Sequence, residues 1–264
     1  MKLADAQVAR FEAEGYLFLP ELYTAAEVAV LKDQLPRIFA QDRAENVREK
    51  DGRTIRTAFA VHTYSEPFRR LARHPRLVEP AMQLLGGPVY IHQFKLNAKA
   101  AFDGDVWQWH QDYGTWARDD LMPAPRAMNV ALFLDDVTEF NGALLFVPKS
   151  HQRGVLDAGH DVATTSYPLW TLDHETVRRL VQEGGLVAPK GPAGSVLLFH
   201  CNLVHGSPGN MSPWDRTIVY ISACHVDNHI QRFARPPWIA HRDFTPIDCL
   251  PDDCLQNVAP RIAR

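Results

Sequence analysis

His110 and Asp112, one residue apart in the run WQWHQDYGTW (107–116), bring an imidazole and a carboxylate together among three tryptophans. Strand side chains alternate between faces, so residues 108, 110 and 112 would share one face and His110 and Asp112 are expected to point the same way. A nitrogen and a carboxylate oxygen aimed at one point are two thirds of the 2-His-1-carboxylate set that holds Fe(II) and leaves coordination positions open. The same His-x-Asp spacing recurs at His225-Val226-Asp227, so the pair alone defines no site.

A second stretch, LLFHCNLVHGSPGNMSPWDRTIVYIS (197–222), offers the third ligand. His205 ends a strand-like run, a Pro/Gly/Asn turn follows, and Arg216 opens the next run, expected to return antiparallel beside the first. That places a cationic fork near a third ligand. An enzyme using 2-oxoglutarate needs this arrangement: the keto acid chelates iron through its C1 carboxylate and C2 carbonyl, and its far carboxylate takes a bidentate arginine. Ser207 would add a hydroxyl to that carboxylate. His200 reads as a structural outer-layer residue, and His92 and His151 as satisfied polar residues at strand ends.

Two other function classes use the same residues. A zinc hydrolase would bind metal through His110, Asp112 and His205, but it needs a general base beside the bound water, and no glutamate lies nearby in the sequence. A cupin-like binding protein would need no triad. A zinc hydrolase also has no need for Arg216.

The rest of the 264-residue chain must position these groups. With 46% apolar residues it can bury a full core, and it is expected to form one domain over 1–264. Twenty-eight basic against 31 acidic residues give a formal charge of −3, no footprint for nucleic acid or an anionic membrane, so the expected partner is a small molecule. Without a leader-like or membrane-length apolar run, and with four cysteines outside any CxxC spacing, the reading is a cytoplasmic protein with reduced thiols, a monomer or homodimer.

Helical patterns dominate about 1–87: LADAQVARFEAEG ending at Gly15, TAAEVAVLKDQLPRIFA behind a Thr24 cap, and PRLVEPAMQLLGG, with the short strand YLFLP between the first two. The charged stretch 41–56 reads as a solvated segment or mobile flap. From about 88 to 230 the texture becomes short strand-like runs broken by Pro, Gly and Asn, with a turn at Asn141-Gly142, and a C-terminal segment covers 231–264. The expected fold class is mainly β with flanking helices, around a double-stranded β-helix (jelly roll, cupin-like) core.

The stretches FEAEGYLFLPELYTAAEV, HQD, NGALLFVPKSH and HGS, with Arg216 beyond, make the chain resemble the phytanoyl-CoA dioxygenase superfamily of non-haem iron, 2-oxoglutarate-dependent oxygenases. Through YIHQFKLNAKAAFDGDVWQWHQD, PAPRAMNVALFLDDVTEFNGALLF and HCNLVHGSPGN it is most similar to bacterial hydroxylases of free amino acids or their compact derivatives, the leucine 5-hydroxylase and ectoine hydroxylase types. The resemblance implies Fe(II), 2-oxoglutarate and O2 as cofactor and cosubstrates, with ascorbate stimulatory. It makes His110, Asp112 and His205 the iron ligands and Arg216 with Ser207 the 2-oxoglutarate clamp. It also implies that Gln93, Lys95, Asn97 and Trp107 line the pocket, although strand alternation sets Trp107 opposite His110 unless the strand bulges.

The leucine type fits this chain's WHQD and PAPRA better than the ectoine type, whose WHSDFETWHxEDG-like run is replaced here by WHQDYGTWARDDLMP. Trp116 is kept as a candidate substrate wall. Tyr113 beside the carboxylate is a second, and Arg235 in RFARPPW is a candidate cation for a substrate carboxylate. Loops 41–56, 113–125 and 155–190 would shape the pocket. The expected reaction is hydroxylation of an unactivated C–H in a small, leucine-like amino acid, with ectoine or another small natural-product intermediate as the alternative.

Overall fold

The computed structural model describes residues 1–256, so the last part of the 231–264 segment lies outside the described residues. The N-terminal part contains α1 (Asp5–Glu14), β1 (Tyr16–Leu19), α2 (Ala25–Lys32), α3 (Leu35–Phe39), β2 (Asn46–Arg48), β3 (Ile55–Phe59), α4 (Val61–Tyr64), α5 (Glu66–Leu71) and α6 (Pro75–Leu85). Local chemistry sets their ends. Thr24 and Glu27 form a reciprocal capping box at the start of α2, while Gly15 and Gly86 close α1 and α6 in the left-handed conformation that glycine adopts without strain.

After these come β4 (Val89–Lys99), β5 (Trp107–His110), α7 (Asp112–Asp119), β6 (Ala127–Phe133), β7 (Leu145–Phe146), β8 (Gly159–Asp161), β9 (Leu169–Thr171), α8 (His174–Gly184), β10 (Val196–His200), β11 (His205–Ser207) and β12 (Arg216–His225). The major sheet is seven-stranded, ordered β1-β10-β6-β12-β4-β3-β2, and every pairing in it is antiparallel. A three-stranded sheet, β5-β11-β7, faces it, and β8 pairs with β9 as a separate hairpin.

Alternation along the long strands separates two cores. Val130, Leu132, Leu198, Val219, Ile221, Phe94 and Leu96 face the helices and pack with Leu31, Ile38, Phe68 and Leu71. Their neighbours Ala131, Phe133, Leu197, Phe199, Ile218 and Tyr220 face the small sheet, where Phe146 meets them. Both faces of the major sheet are therefore apolar along most of their length. The polar residues Gln93, Lys95, Asn97, Asn129 and Arg216 interrupt the inner face at one end of the sandwich.

Three expectations about local structure need correction. GSVLLFHCNLVHG is not one strand: β10 ends at His200 in the major sheet, a turn closed by Leu203 N–H to the His200 carbonyl (2.9 Å) crosses the sandwich, and β11 carries His205 in the small sheet. Consequently β12 does not lie beside β11; Arg216 faces His205 from the opposite sheet. The 41–56 stretch contains β2 and reaches β3, and it buries Glu49 and Arg56 as an ion pair of 3.0 Å. Its charge density resembled a solvated segment because composition does not reveal which carboxylate and guanidinium bury each other as a pair. His92 sits inside β4, fully buried, with neither ring nitrogen hydrogen-bonded and Nε2 3.4 Å from Asp120.

Candidate active site

His110 ends β5 directly opposite His205, which begins β11, and their rings lie 4.1 Å apart between centroids. Asp112 is not on the strand. Gln111 takes the extended N-cap conformation and Asp112 is the first residue of α7. The chain's turn into the helix, rather than strand alternation, brings its carboxylate beside both imidazoles: Oδ1 is 3.7 Å from His110 Nε2 and Oδ2 is 3.6 Å from His205 Nε2. One ligand atom from each of the three lies within 4.8 Å of the others, and all three residues are buried.

Each ligand is oriented from behind. His110 Nδ1 faces the Gln108 carbonyl at 2.6 Å and His205 Nδ1 faces the Leu203 carbonyl at 2.9 Å, which places the proton on Nδ1 and frees both Nε2 lone pairs. Asn129 donates to Asp112 Oδ2 at 2.7 Å and is itself fixed by the Ser222 hydroxyl at 2.7 Å. Burial holds His110 far below its ordinary value, at about 3, and depresses His205 as well. Burial pushes the Asp112 carboxyl up, but His205, Lys95, His110 and Asn129 together outweigh it and keep the group ionised. Two neutral imidazoles and one carboxylate form the donor set that a divalent iron accepts.

Across the cavity Arg216 is 1% exposed, its Nε has no hydrogen-bond partner, and the buried Ser207 hydroxyl has none either. A buried guanidinium and hydroxyl left unsatisfied at a cavity wall call for an anionic acceptor. A dicarboxylate chelating a metal at the triad supplies one, so the residues present fit both iron and 2-oxoglutarate.

The cavity gathers Gln93, Lys95, Asn97, Trp107, Trp116 and Arg235 with the triad, Ser207 and Arg216. Trp107 reaches it because β5 spends four residues, 107 to 110, against three on β11, 205 to 207: His110 pairs with His205 and Trp107 with Ser207. That bulge reverses the strand's parity. Trp116 is one helical turn after Asp112, on the same face of α7, whereas Tyr113 follows Asp112 by one position and is rotated away. Tyr113 accordingly does not line the cavity; it is buried beside Tyr90 and Ile230, and its hydroxyl donates to the Met122 carbonyl at 3.1 Å.

Other lining residues carried no sequence signal that was used. Thr115 completes the Asp112 face of α7, Tyr220 sits on the Arg216 face of β12, and Tyr167 and Leu169 reach in from the 155–190 region. Asn129 was readable as the one polar side chain within the apolar strand AMNVALF. Arg235 is held by Asp120, which is fully buried and accepts from Nε at 2.8 Å and from a second guanidinium nitrogen. Lys95 is different. Burial lowers its pKa against the opposing pull of the Asp112 charge, its ammonium nitrogen lies 5.6 Å from the centre of the Tyr220 ring, and among the described residues no carboxylate forms an ion pair with it.

A jelly roll with this triad, Ser207 two residues beyond His205 and Arg216 on the facing sheet has the architecture of a non-haem iron, 2-oxoglutarate-dependent oxygenase. Residues 11–218 match the phytanoyl-CoA dioxygenase (PhyH) family, and the chain belongs to it. It is 36% identical over 255 residues to the L-proline trans-4-hydroxylase of Streptomyces griseoviridis, covering 93% of this chain and 95% of that one. Over 270 residues it is 35% identical to the ectoine dioxygenase of Stutzerimonas stutzeri, covering 96% and 89%. The crystal structure of EctD from S. alaskensis with 2-oxoglutarate and 5-hydroxyectoine superposes with a TM-score of 0.84 at 33% identity, covering 94% of this chain and 87% of that one. EctD with bound Fe superposes at 0.83. The chain is therefore an iron(II), 2-oxoglutarate-dependent dioxygenase. No helix among its described residues is long and apolar enough to cross a membrane.

Proposed function

We propose that this dioxygenase hydroxylates an unactivated C–H of a compact amino acid or cyclic amino-acid derivative bearing one carboxylate, of the proline or ectoine kind. The proline and ectoine relatives favour such a substrate over a leucine-like one. The observation that carries the reading is the charge balance of the cavity. Arg216 is matched to the distal carboxylate of 2-oxoglutarate and Arg235 is neutralised by Asp120, which leaves Lys95, faced only by the Asp112 charge that a bound metal would take up, without a carboxylate in direct contact. An uncompensated buried cation is costly unless a ligand supplies the opposite charge.

Iron held by His110, Asp112 and His205 supplies, with 2-oxoglutarate and O2, the chemistry of C–H hydroxylation, with ascorbate keeping the metal reduced. The protein's own residues do the rest. Arg216 and Ser207 grip the distal carboxylate, Gln93 and Asn97 give hydrogen bonds along the same wall, and Lys95 anchors the substrate carboxylate. Trp107, Trp116, Tyr167 and Leu169 exclude water around the reacting carbon. Asp112 occupies the position that an iron halogenase leaves empty for chloride, and its charge repels that ion, so the product gains one oxygen even in high chloride. Residues 1–264 would act as one cytoplasmic catalytic unit, monomeric or homodimeric.

Incubation with Fe(II), 2-oxoglutarate, O2 and ascorbate tests the reading against L-proline, ectoine and L-leucine, following succinate and product mass. Proline or ectoine should raise succinate formation above the substrate-free rate and yield a product heavier by one oxygen. In Lys95→Met the substrate KM should rise roughly tenfold, the value of one charge-assisted contact, with the 2-oxoglutarate KM unchanged. A rise in the 2-oxoglutarate KM instead would assign Lys95 to the cosubstrate and remove the argument for a substrate carboxylate.

A further inference from the structure

The Glu49–Arg56 pair stands outside the cavity, yet both residues hold the segment that enters it. Glu49 Oε1 accepts from the Asp105 backbone N–H at 3.2 Å, and an Arg56 guanidinium nitrogen donates to the Val106 carbonyl at 2.7 Å. The next residue is Trp107. The Arg56 guanidinium lies 3.9 Å from the centre of the Trp107 ring, close enough for a cation–π contact, and is 1% exposed. Thr57, next along β3, donates its hydroxyl to Asn97 Oδ1 at 3.0 Å, so the same strand also fixes a second cavity residue.

An indole beside Ser207 cannot shape an anion site unless its ring plane is fixed, and the bulge between the His110–His205 and Trp107–Ser207 pairs weakens the ladder that would fix it, with the Tyr167 ring the other contact. The buried guanidinium reinforces that weakened restraint. A buried ion pair seldom adds net stability over apolar packing, so a pair kept at this place is better explained by the geometry it imposes.

We propose that Arg56, held by Glu49, is a positioning residue for 2-oxoglutarate: it braces Trp107 against the cosubstrate without touching it. The proposal rests on the reading that Trp107 borders 2-oxoglutarate. Deleting both charges together avoids stranding a buried Glu49, so the first variant is the double substitution Glu49→Gln/Arg56→Met. Anaerobic calorimetric titration of the Fe(II)-loaded protein with 2-oxoglutarate should show Kd raised roughly fivefold to tenfold, as expected for loss of a desolvated cation–π contact. Fe(II) affinity, and kcat at saturating 2-oxoglutarate, should stay within about twofold. Arg56→Lys keeps a cation over the ring and should recover at least half of the lost affinity on a logarithmic scale.

An unchanged Kd in the double variant overturns the proposal, as does parallel loss of iron affinity, kcat and 2-oxoglutarate affinity, which marks a merely structural pair. Should the double variant not fold, the same titration of Arg56→Met decides by the same criteria, with Arg56→Lys again expected to bind more tightly than Arg56→Met. Trp107→Leu separates the two levels. If it leaves Kd unchanged, the reading of the pocket fails and the brace with it; if it weakens binding while the Arg56 variants do not, only the brace fails.

Discussion

The two walls of the cavity are built from different kinds of sequence information. The small-sheet wall carries His110, Asp112 and His205 on short segments, β5, the start of α7 and β11, whose ligand atoms converge within 4.8 Å. The major-sheet wall carries Gln93, Lys95, Asn97, Tyr220 and Arg216 on the long paired strands β4 and β12, where Tyr220 sits opposite Lys95 and Ile218 opposite Asn97. The first wall presents acceptors to a cation; the second presents donors and cations to carboxylates. Ser207 and Trp107 on the small sheet and Asn129 on the major sheet cross that division, but the charged groups do not, so removing a charge from one wall should leave the binding function of the other intact.

The sharpest way to break that division is at the metal. His110→Ala or His205→Ala leaves two protein ligands, too few to hold Fe(II) facially, and 2-oxoglutarate turnover should vanish. Succinate formation at a normal rate by either variant would remove the small-sheet wall from the catalytic account. Asp112→Gly should likewise lose hydroxylation, and any chlorinated product is expected only in that variant.

The second test acts on the opposite wall. Arg216→Ala removes a charge-assisted contact of about 1.5–3 kcal/mol, so the 2-oxoglutarate KM should rise at least roughly tenfold. Iron binding, followed separately, should be unchanged, because no iron ligand contacts Arg216 through a hydrogen bond. Simultaneous loss of iron would show that the walls are mechanically coupled and would overturn the division.

The walls also differed in how far they could be read from sequence. The triad and Arg216 were legible because residue type carries the chemistry: few places combine His-x-Asp, a distant histidine and a following arginine. The geometry behind them was legible only in part. Asp112 was taken for a strand residue, since DYGTWARDD has no apolar run long enough to announce a helix, and Tyr113 was a pocket candidate only through adjacency to that carboxylate, which helical rotation undoes. Trp107 and Ser207 are united by a bulge, which no periodicity reveals. The Arg235–Asp120 pair remained hidden because its partners are 115 residues apart, and the Arg56–Glu49 pair, only seven apart, because chain folding alone decides which charges in a charged stretch are buried together. The jelly roll was legible as short strands after helices, but not the crossing at Cys201–Val204 that splits one apparent strand between two sheets.

A second imidazole pair offers the finest test of what makes the triad functional. His62 and His241 rings lie 4.9 Å apart, nearly perpendicular, and His62 stacks on Phe94. Among the described residues no carboxylate completes a ligand set with them, and His62 Nδ1 and His241 Nε2 are buried without partners. Burial, reinforced by His241 and Arg69, depresses His62 to about 3, and burial holds His241 at about 4. Both values lie below the ordinary histidine value near 6.5, so the unfolded chain binds these protons first. Their contribution to stability is fully present above about pH 6.5 and is lost progressively as the pH falls through that value toward 4. His62→Phe keeps the ring stacked on Phe94, forfeits no hydrogen bond at Nδ1, and removes one of these protonation sites. Its melting temperature should match the parent's near pH 7.5 and exceed it by a few degrees near pH 5, with turnover unaffected at neutral pH. Equal melting temperatures at pH 5 would mean that His62 is not neutral in the fold, and the contrast between a ligand pair and a packing pair would then have to rest on Asp112 alone.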